Sequence, residues 1–346
     1  MITLNRSSLK KSILHVCTVT AGLSIFATTS AAEAPKVVVS IFPIHSLVQS
    51  VMDGVGEAEL LVDQNASPHG YSLRPSQVRA LNQADLVIWI GESLETFLEK
   101  PLSQKSDETT VLEVMDLEGV VLLENRSAGS WGDVSEGTHD DHDDHEEHAA
   151  HEEHDDHDDH DDHDDHDDHD AHDHGKFDPH VWLSIENSQT IVKKVGAELS
   201  KIDPDNSQAY QRNVVLTLAA LGVLKQDISA QLSQVQHKPY LIFHDAYQYF
   251  EAEFGLNSIG AVTIDPERKP GAKRLTELRS HLKTSGAVCI FSEPQFKPAV
   301  VNVLSEGLTI KKGELDPMGS NLEKGKGAYN ALLRGLSKSI DGCLSD

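Results

Sequence analysis

A histidine-rich segment at residues 139–174 contains more imidazole groups than the rest of the chain together. Thirteen histidines, twenty acidic residues and three alanines make up the segment, which has no lysine or arginine. Neutral imidazole and carboxylate suit borderline divalent metals such as zinc. We favour metal binding over a solvated acidic spacer, because a spacer does not need so many regularly spaced histidines. The histidines are His139, His142, His145, His148, His151, His154, His157, His160, His163, His166, His169, His172 and His174.

The same segment lacks the features of a folded element. Its repelling carboxylates and its shortage of apolar residues predict disorder in the absence of a ligand, over about residues 126–175. A three-residue period also drifts around a helix of 3.6 residues per turn, so the imidazoles would not share one helix face. We therefore expect a loop that binds several ions loosely.

Three further histidines occupy positions where α/β sheets bind ligands, in loops that leave the carboxyl ends of strands. His69 lies in the loop at 64–72, His180 follows Asp178-Pro179, and His244 comes directly after a predicted strand. Each alone is more simply read as a surface or core histidine. Together, in a chain with a histidine-rich segment, they predict a metal site between two lobes.

The other histidines of the folded part lack this context. His45 lies within a predicted helix, His237 in a linker and His281 on a helix face, and we interpret all three as non-ligands.

The pattern of apolar runs predicts an α/β fold with two parallel-sheet lobes, a long rigid helix between them and the site in the cleft. Strands are predicted at residues 36–42, 57–63, 85–90 and 120–123, and again at 239–243, 258–264, 287–293 and 309–315. A helix over 206–235 joins the two sets. The predicted organisation is an N-terminal lobe at 33–204, a linking helix at 205–236 and a C-terminal lobe at 237–346.

The amino terminus has the pattern of a signal peptide. A basic start, an apolar stretch at residues 13–27 and the small residues Ser30, Ala31 and Ala32 predict cleavage after residue 32. An uncleaved anchor and a lipoprotein with a modified Cys17 are the alternatives. Export leaves Cys289 and Cys343, and two cysteines in an oxidising compartment suggest a disulfide, against the alternative of two buried thiols.

Charge excludes one class of partner. The formal net charge is −27, of which the histidine-rich segment carries −20, leaving −7 for the rest of the chain. Nucleic-acid binding needs a basic face, so no nucleic-acid partner is expected.

Two other functions fit parts of this pattern. Three histidines with an open fourth position also suit a hydrolytic zinc site, but the chain has no HExxH motif, and Glu293 reads as an ordinary strand-end carboxylate rather than a general base. A metal buffer or zinc-dependent adhesin that never contacts a transporter is the second alternative.

Several segments resemble the motifs of ZnuA-type periplasmic zinc-binding proteins of ABC transporters. The segments are PHGYSLRPS (68–76), DPHVWLS (178–184), FHDAYQYF (243–250), FSEPQFKPAVV (291–301) and LDPMGSN (315–321). The resemblance implies a monomeric periplasmic protein without catalytic activity. Such a protein captures Zn²⁺ between two lobes and delivers it to an inner-membrane permease.

The resemblance also implies the ligand set. His69, His180 and His244 match the three histidine ligands of the family, and Cys289 and Cys343 match its cysteine pair. Some members place a glutamate before the first histidine, where this chain has Pro68, which cannot bind a metal. Related manganese and zinc proteins use an aspartate that matches Asp316, so the resemblance implies Asp316 or water as the fourth ligand. Manganese-type relatives have a glutamate at the position of His244, and three imidazoles favour zinc over that harder cation.

Overall fold

The computed structural model describes residues 33–105, 108–126, 175–264, 266–268, 270–297 and 299–345. The predicted signal peptide and all thirteen histidines of the histidine-rich segment lie outside the described residues. None of the helices in this described part is both long enough and apolar enough to span a membrane.

The first half of the chain forms a parallel four-stranded sheet, as the strand–helix–strand pattern predicts. Its strand order is β2-β1-β3-β4, with the buried strands β1 and β3 adjacent to each other. The strands are β1 (Val37–Val39), β2 (Glu59–Leu60), β3 (Leu86–Trp89) and β4 (Thr110–Glu113), and the helices are α1 (Phe42–Val51), α2 (Pro75–Gln83) and α3 (Thr96–Ser103).

The prediction of a strand at residues 120–123 was wrong. The fourth strand of this sheet is β4, which pairs with β3, and residues 120–123 form no strand. Side chains pair with the backbone of that segment instead. Val121 exchanges hydrogen bonds with the amide group of Asn187, and the Leu123 N–H donates to the Tyr249 hydroxyl at 3.0 Å. Apolar composition alone does not distinguish a strand from such a segment.

The residue types at 92–99 predict a helix, but the helix begins only at Thr96. The reason is a turn ahead of it, in which the buried Glu95 carboxylate accepts the backbone N–H groups of Ile90 and Gly91 at 3.0 and 3.1 Å. Burial raises the pKa of Glu95 to about 7.

The second half repeats the topology of the first, with a parallel sheet in the order β6-β5-β7-β8. Its strands are β5 (Tyr240–His244), β6 (Ser258–Thr263), β7 (Cys289–Ser292) and β8 (Lys311–Glu314), and its helices are α6 (Gln248–Phe254), α7 (Ala272–Thr284), α8 (Ala299–Ser305) and α9 (Ala328–Leu344).

Two long helices connect the sheets in sequence. They are α4 (Ile185–Ile202) and α5 (Ser207–Leu232), separated at Asp203-Pro204. The 26 residues of α5 extend about 39 Å, close to the predicted helix in position and length. A Cβ on Gly196 would lie 2.3 Å from Val214 Cγ2, so α4 and α5 pack closely where a larger residue would collide.

The two halves share one hydrophobic core. Buried residues of both sheets, of α5 and of the C-terminal helix α9 belong to a single cluster. A disulfide joins Cys289 of β7 to Cys343 of α9, with a Cα–Cα distance of 6.1 Å. The disulfide therefore fastens to the second sheet a helix that also packs against α1 and α5.

Candidate metal centre

Three different local structures position the three histidines. His244 is the last residue of β5, a strand buried along its whole length. His69 lies in the loop between β2 and α2, where its N–H donates to the Ser67 hydroxyl at 3.3 Å. His180 directly precedes a 3₁₀ turn at Val181–Leu183.

The fold brings these imidazoles together, and among the described residues they form a group whose ligand atoms all lie within 4.8 Å of one another. The ring centroids are 5.5 Å apart for His69 and His180, 5.2 Å for His69 and His244, and 4.9 Å for His180 and His244. Nitrogens around a tetrahedral zinc ion are roughly 3.3 Å apart, given Zn–N distances of about 2.0–2.1 Å. Small side-chain movements therefore suffice to complete a three-nitrogen site.

Apolar side chains from both halves surround the histidines. Pro68 and Trp182 come from the first half, and Phe296, Pro317 and Met318 from the second. The Trp182 indole N–H donates to the Pro317 carbonyl at 3.0 Å, which ties the two halves together beside the site. His180 and His244 are 4% and 3% exposed, so any ion held there is largely shielded from water.

A buried aspartate orients His180. The Asp178 carboxylate accepts the backbone N–H of His180 at 3.0 Å and the ring Nδ1–H at 2.7 Å, which leaves Nε2 as the ligand atom. Burial, with His244 nearby, lowers the pKa of His180 well below its ordinary value. Burial also raises the pKa of Asp178 to about 7, against the opposing effects of the His180 N–H and the Arg126 charge. His180 is thus kept neutral, the form that binds metal.

His244 has a carboxylate partner from the neighbouring strand. Its Nδ1 lies 3.7 Å from Glu293 Oε2, and both side chains are almost fully buried. Burial alone would lower the pKa of His244, but nearby carboxylates, Glu293 foremost, raise it above its ordinary value. A proton on this ring therefore competes with a metal ion for the same imidazole.

Asp316 lies outside the three-histidine group. Its Oδ1 accepts the N–H groups of Met318 and Gly319 at 3.1 and 2.9 Å, and the Gln295 side-chain amide at 2.8 Å. Its Oδ2 accepts the Ser320 N–H at 2.5 Å. The carboxylate thus organises the turn after β8, and ligation would require that turn to open.

The histidines interpreted as non-ligands also lie apart from this group. The His45 ring Nε2 is 2.9 Å from the Ala58 carbonyl, His237 is exposed, and His281 lies on α7.

Asp178 and Glu293 are the residues whose importance the sequence did not reveal. Glu293 is only 3% exposed and lines the pocket, so it differs from the ordinary strand-end carboxylate we predicted. A signal for it exists in the sequence, since Glu293 and His244 both stand at the carboxyl ends of predicted buried strands, where ligand sites form.

Comparison with known proteins decides the family. Residues 37–343 match the family described as "ZnuA: Zinc-uptake complex component A periplasmic". The chain belongs to the ZnuA family. The "High-affinity zinc uptake system protein ZnuA" of Brucella suis biovar 1 (strain 1330) is 42% identical over 315 residues, which is 91% of this chain and 93% of that protein. The protein of the same name from Yersinia pestis is 37% identical over 309 residues, 89% of this chain and 91% of the relative.

Solved structures share the fold of this ZnuA family member. "Crystal structure of ZnuA" has a TM-score of 0.69 at 20% identity and covers 90% of this chain and 100% of that chain. "Crystal structure of 138-173 ZnuA deletion mutant plus zinc bound" has a TM-score of 0.67 at 21% identity, covering 90% and 99%.

Proposed function

We propose that the protein is a solute-binding protein that captures Zn²⁺ and delivers it to an ABC permease for uptake, without catalysis. The observation that carries this proposal is the convergence of three imidazoles in an apolar pocket between the two sheets. Three neutral nitrogen ligands suit zinc better than manganese or calcium, which favour oxygen. Family membership and the names of the relatives agree with this conclusion.

The proposed ligands are His69, His180 and His244, with the ion on Nε2 of His180 and His244. We assign the fourth position to water rather than Asp316, because backbone N–H groups and the Gln295 amide already donate hydrogen bonds to the Asp316 carboxylate. A water ligand also leaves room for exchange when the ion is handed to a partner.

Zinc affinity is expected to fall as pH falls through the raised pKa of His244, which lies above about 6.5. Below that pKa each pH unit should weaken binding by up to about tenfold, since one proton must leave for each ion bound. Above it the affinity should level off, because the pKa of His180 is already low. Competition titrations against a zinc chelator from about pH 5.5 to about 8.5 measure this. A flat profile would contradict the role of His244.

The histidine-rich segment is proposed to hold additional ions more weakly and to raise the local zinc concentration near the pocket. Deleting residues 139–174 should lower the number of zinc ions bound and leave one tight site, as calorimetry would show. Loss of the tight site together with the segment would mean that the pocket is not the zinc site.

The proposal also covers where the protein works and which partner receives its ion. Residues 1–32 act as a cleaved signal, the mature protein works as a periplasmic monomer, and an inner-membrane permease receives its ion. A deletion strain should grow poorly under zinc starvation and recover with added zinc. Normal zinc uptake in that strain would favour the metal buffer or adhesin alternative.

A further inference from the structure

We propose that Glu293 is a positioning residue for zinc, whose buried carboxylate accepts the Nδ1–H of His244 and so directs Nε2 of that ring to the ion. This inference rests on the proposed zinc-binding function and assigns a further residue to it.

Sheet topology places the two side chains together. Glu293 directly follows β7, and β7 pairs in parallel with β5, the strand that ends at His244. Both side chains therefore leave the same edge of the second sheet. Glu293 and His244 are each 3% exposed, so bulk water does not readily supply either side chain with a hydrogen bond.

Each group lacks the partner that the other can supply. Among the described residues, neither ring nitrogen of His244 has a hydrogen-bond partner, and neither does Glu293 Oε1. The distance of 3.7 Å from Nδ1 to Oε2 is too long for a hydrogen bond but short enough that a small side-chain rotation would form one.

Zinc binding to His244 would leave a buried Nδ1–H that requires an acceptor. A neutral imidazole has one N–H, so an ion on Nε2 places the hydrogen on Nδ1. A buried donor without an acceptor is costly. Metal-bound histidines generally donate their second N–H to a carboxylate, a carbonyl or water, which fixes the tautomer and ring orientation.

The first half of the site already has this arrangement. Asp178 accepts the Nδ1–H of His180 at 2.7 Å. In the second half of the site, Glu293 faces Nδ1 of His244 in the same way. The two carboxylates differ in origin, since Asp178 is two residues from its histidine and Glu293 comes from the adjacent strand.

Direct ligation by Glu293 fits the geometry less well. Its oxygens are not part of the group whose ligand atoms lie within 4.8 Å of one another. The contact is also with Nδ1, the nitrogen left over when Nε2 binds the ion.

The test compares Glu293→Gln, which keeps an acceptor oxygen, with Glu293→Met, which keeps the volume without one. The full chain is titrated with Zn²⁺ against a chelator strong enough to report the tightest site alone. Glu293→Met should lose about 10–100-fold in affinity, and Glu293→Gln should retain most of it. The visible absorption bands of Co²⁺ bound at this site should keep their positions in Glu293→Gln, because the ion's own ligands are unchanged. Glu314→Ala, at the exposed end of β8, is the matched control and should bind as the unmodified protein does.

Affinity of Glu293→Met equal to that of the unmodified protein would overturn the proposal. Equal losses in both variants would overturn it as well, and shifted Co²⁺ bands would identify Glu293 as a ligand. If the Met variant does not fold, as judged by circular dichroism, Glu293→Ala takes its place. Absence of tight zinc binding in the unmodified protein would count against the proposed function instead, so the two failures are distinguishable.

Discussion

Replacing His69, His180 or His244 singly with alanine should weaken the tight zinc site by more than about 100-fold. Loss of a residue that merely supports a metal ligand typically costs 10–100-fold, and loss of the ligand itself should cost more. His180→Ala should be among the most severe, because it also leaves the Asp178 carboxylate buried without its ring partner. Competition titration of each variant in a background lacking residues 139–174 measures the effect without interference from that segment.

The matched control is His237→Ala, which removes an exposed imidazole outside the pocket. It should bind zinc with unchanged affinity, and all variants should melt as cooperatively as the parent in the absence of metal. Unchanged affinity in any of the three pocket variants would remove that residue from the site.

Removal of the disulfide with Cys289→Ala and Cys343→Ala together should lower the free energy of unfolding by about 4 kcal/mol. The cross-link spans 54 residues and restricts the unfolded chain, and both sulfurs lie in the core. Urea denaturation under oxidising conditions measures the difference from the unmodified protein.

Reduction provides the control for this loss. A reducing agent should destabilise the unmodified protein by a similar amount and leave the double variant unaffected. Equal denaturation midpoints for the oxidised protein and the double variant would show that the cross-link contributes little.

The fold was readable from the sequence where apolar runs were long and bounded by turns. The strands around Val38, Val87 and Ile242 are buried on both faces, and such runs predict parallel strands directly. β4 was missed because Thr110–Glu113 is short and mostly not buried. Residues 120–123 resemble a strand in composition, but their backbone groups pair with side chains of Asn187 and Tyr249, which lie far away in sequence.

The grouping of the three histidines was predictable from the sequence, but the side chains that support them were not. Strand ends indicated His69 and His244, since topology alone brings such loops together. His180 instead follows an isolated β-bridge at Phe177 and precedes a 3₁₀ turn, so its strand-end position was wrongly predicted. The role of Glu293 depends on burial and on a distance across two strands, which the sequence does not contain. The hydrogen bonds that hold Asp316 in the turn at 316–320 involve backbone N–H groups, which residue type does not reveal.

Contacts between the halves surround the pocket. The Tyr249 hydroxyl donates to the Asp178 carbonyl at 2.8 Å, and Arg126 forms ion pairs with Asp245 and Glu251. Asp178 lies two residues before His180 and Asp245 directly follows His244, so these contacts fix the backbone near two of the three proposed ligands. Holding these two ligands in place lowers the ordering cost of binding zinc.

X-ray diffraction at the zinc absorption edge tests the central claim most directly, with crystals of protein lacking residues 139–174 and loaded with one equivalent of zinc. We predict a single strong anomalous peak about 2.0–2.1 Å from one nitrogen each of His69, His180 and His244. A zinc peak elsewhere, with this pocket empty or filled by an organic molecule, would contradict the account.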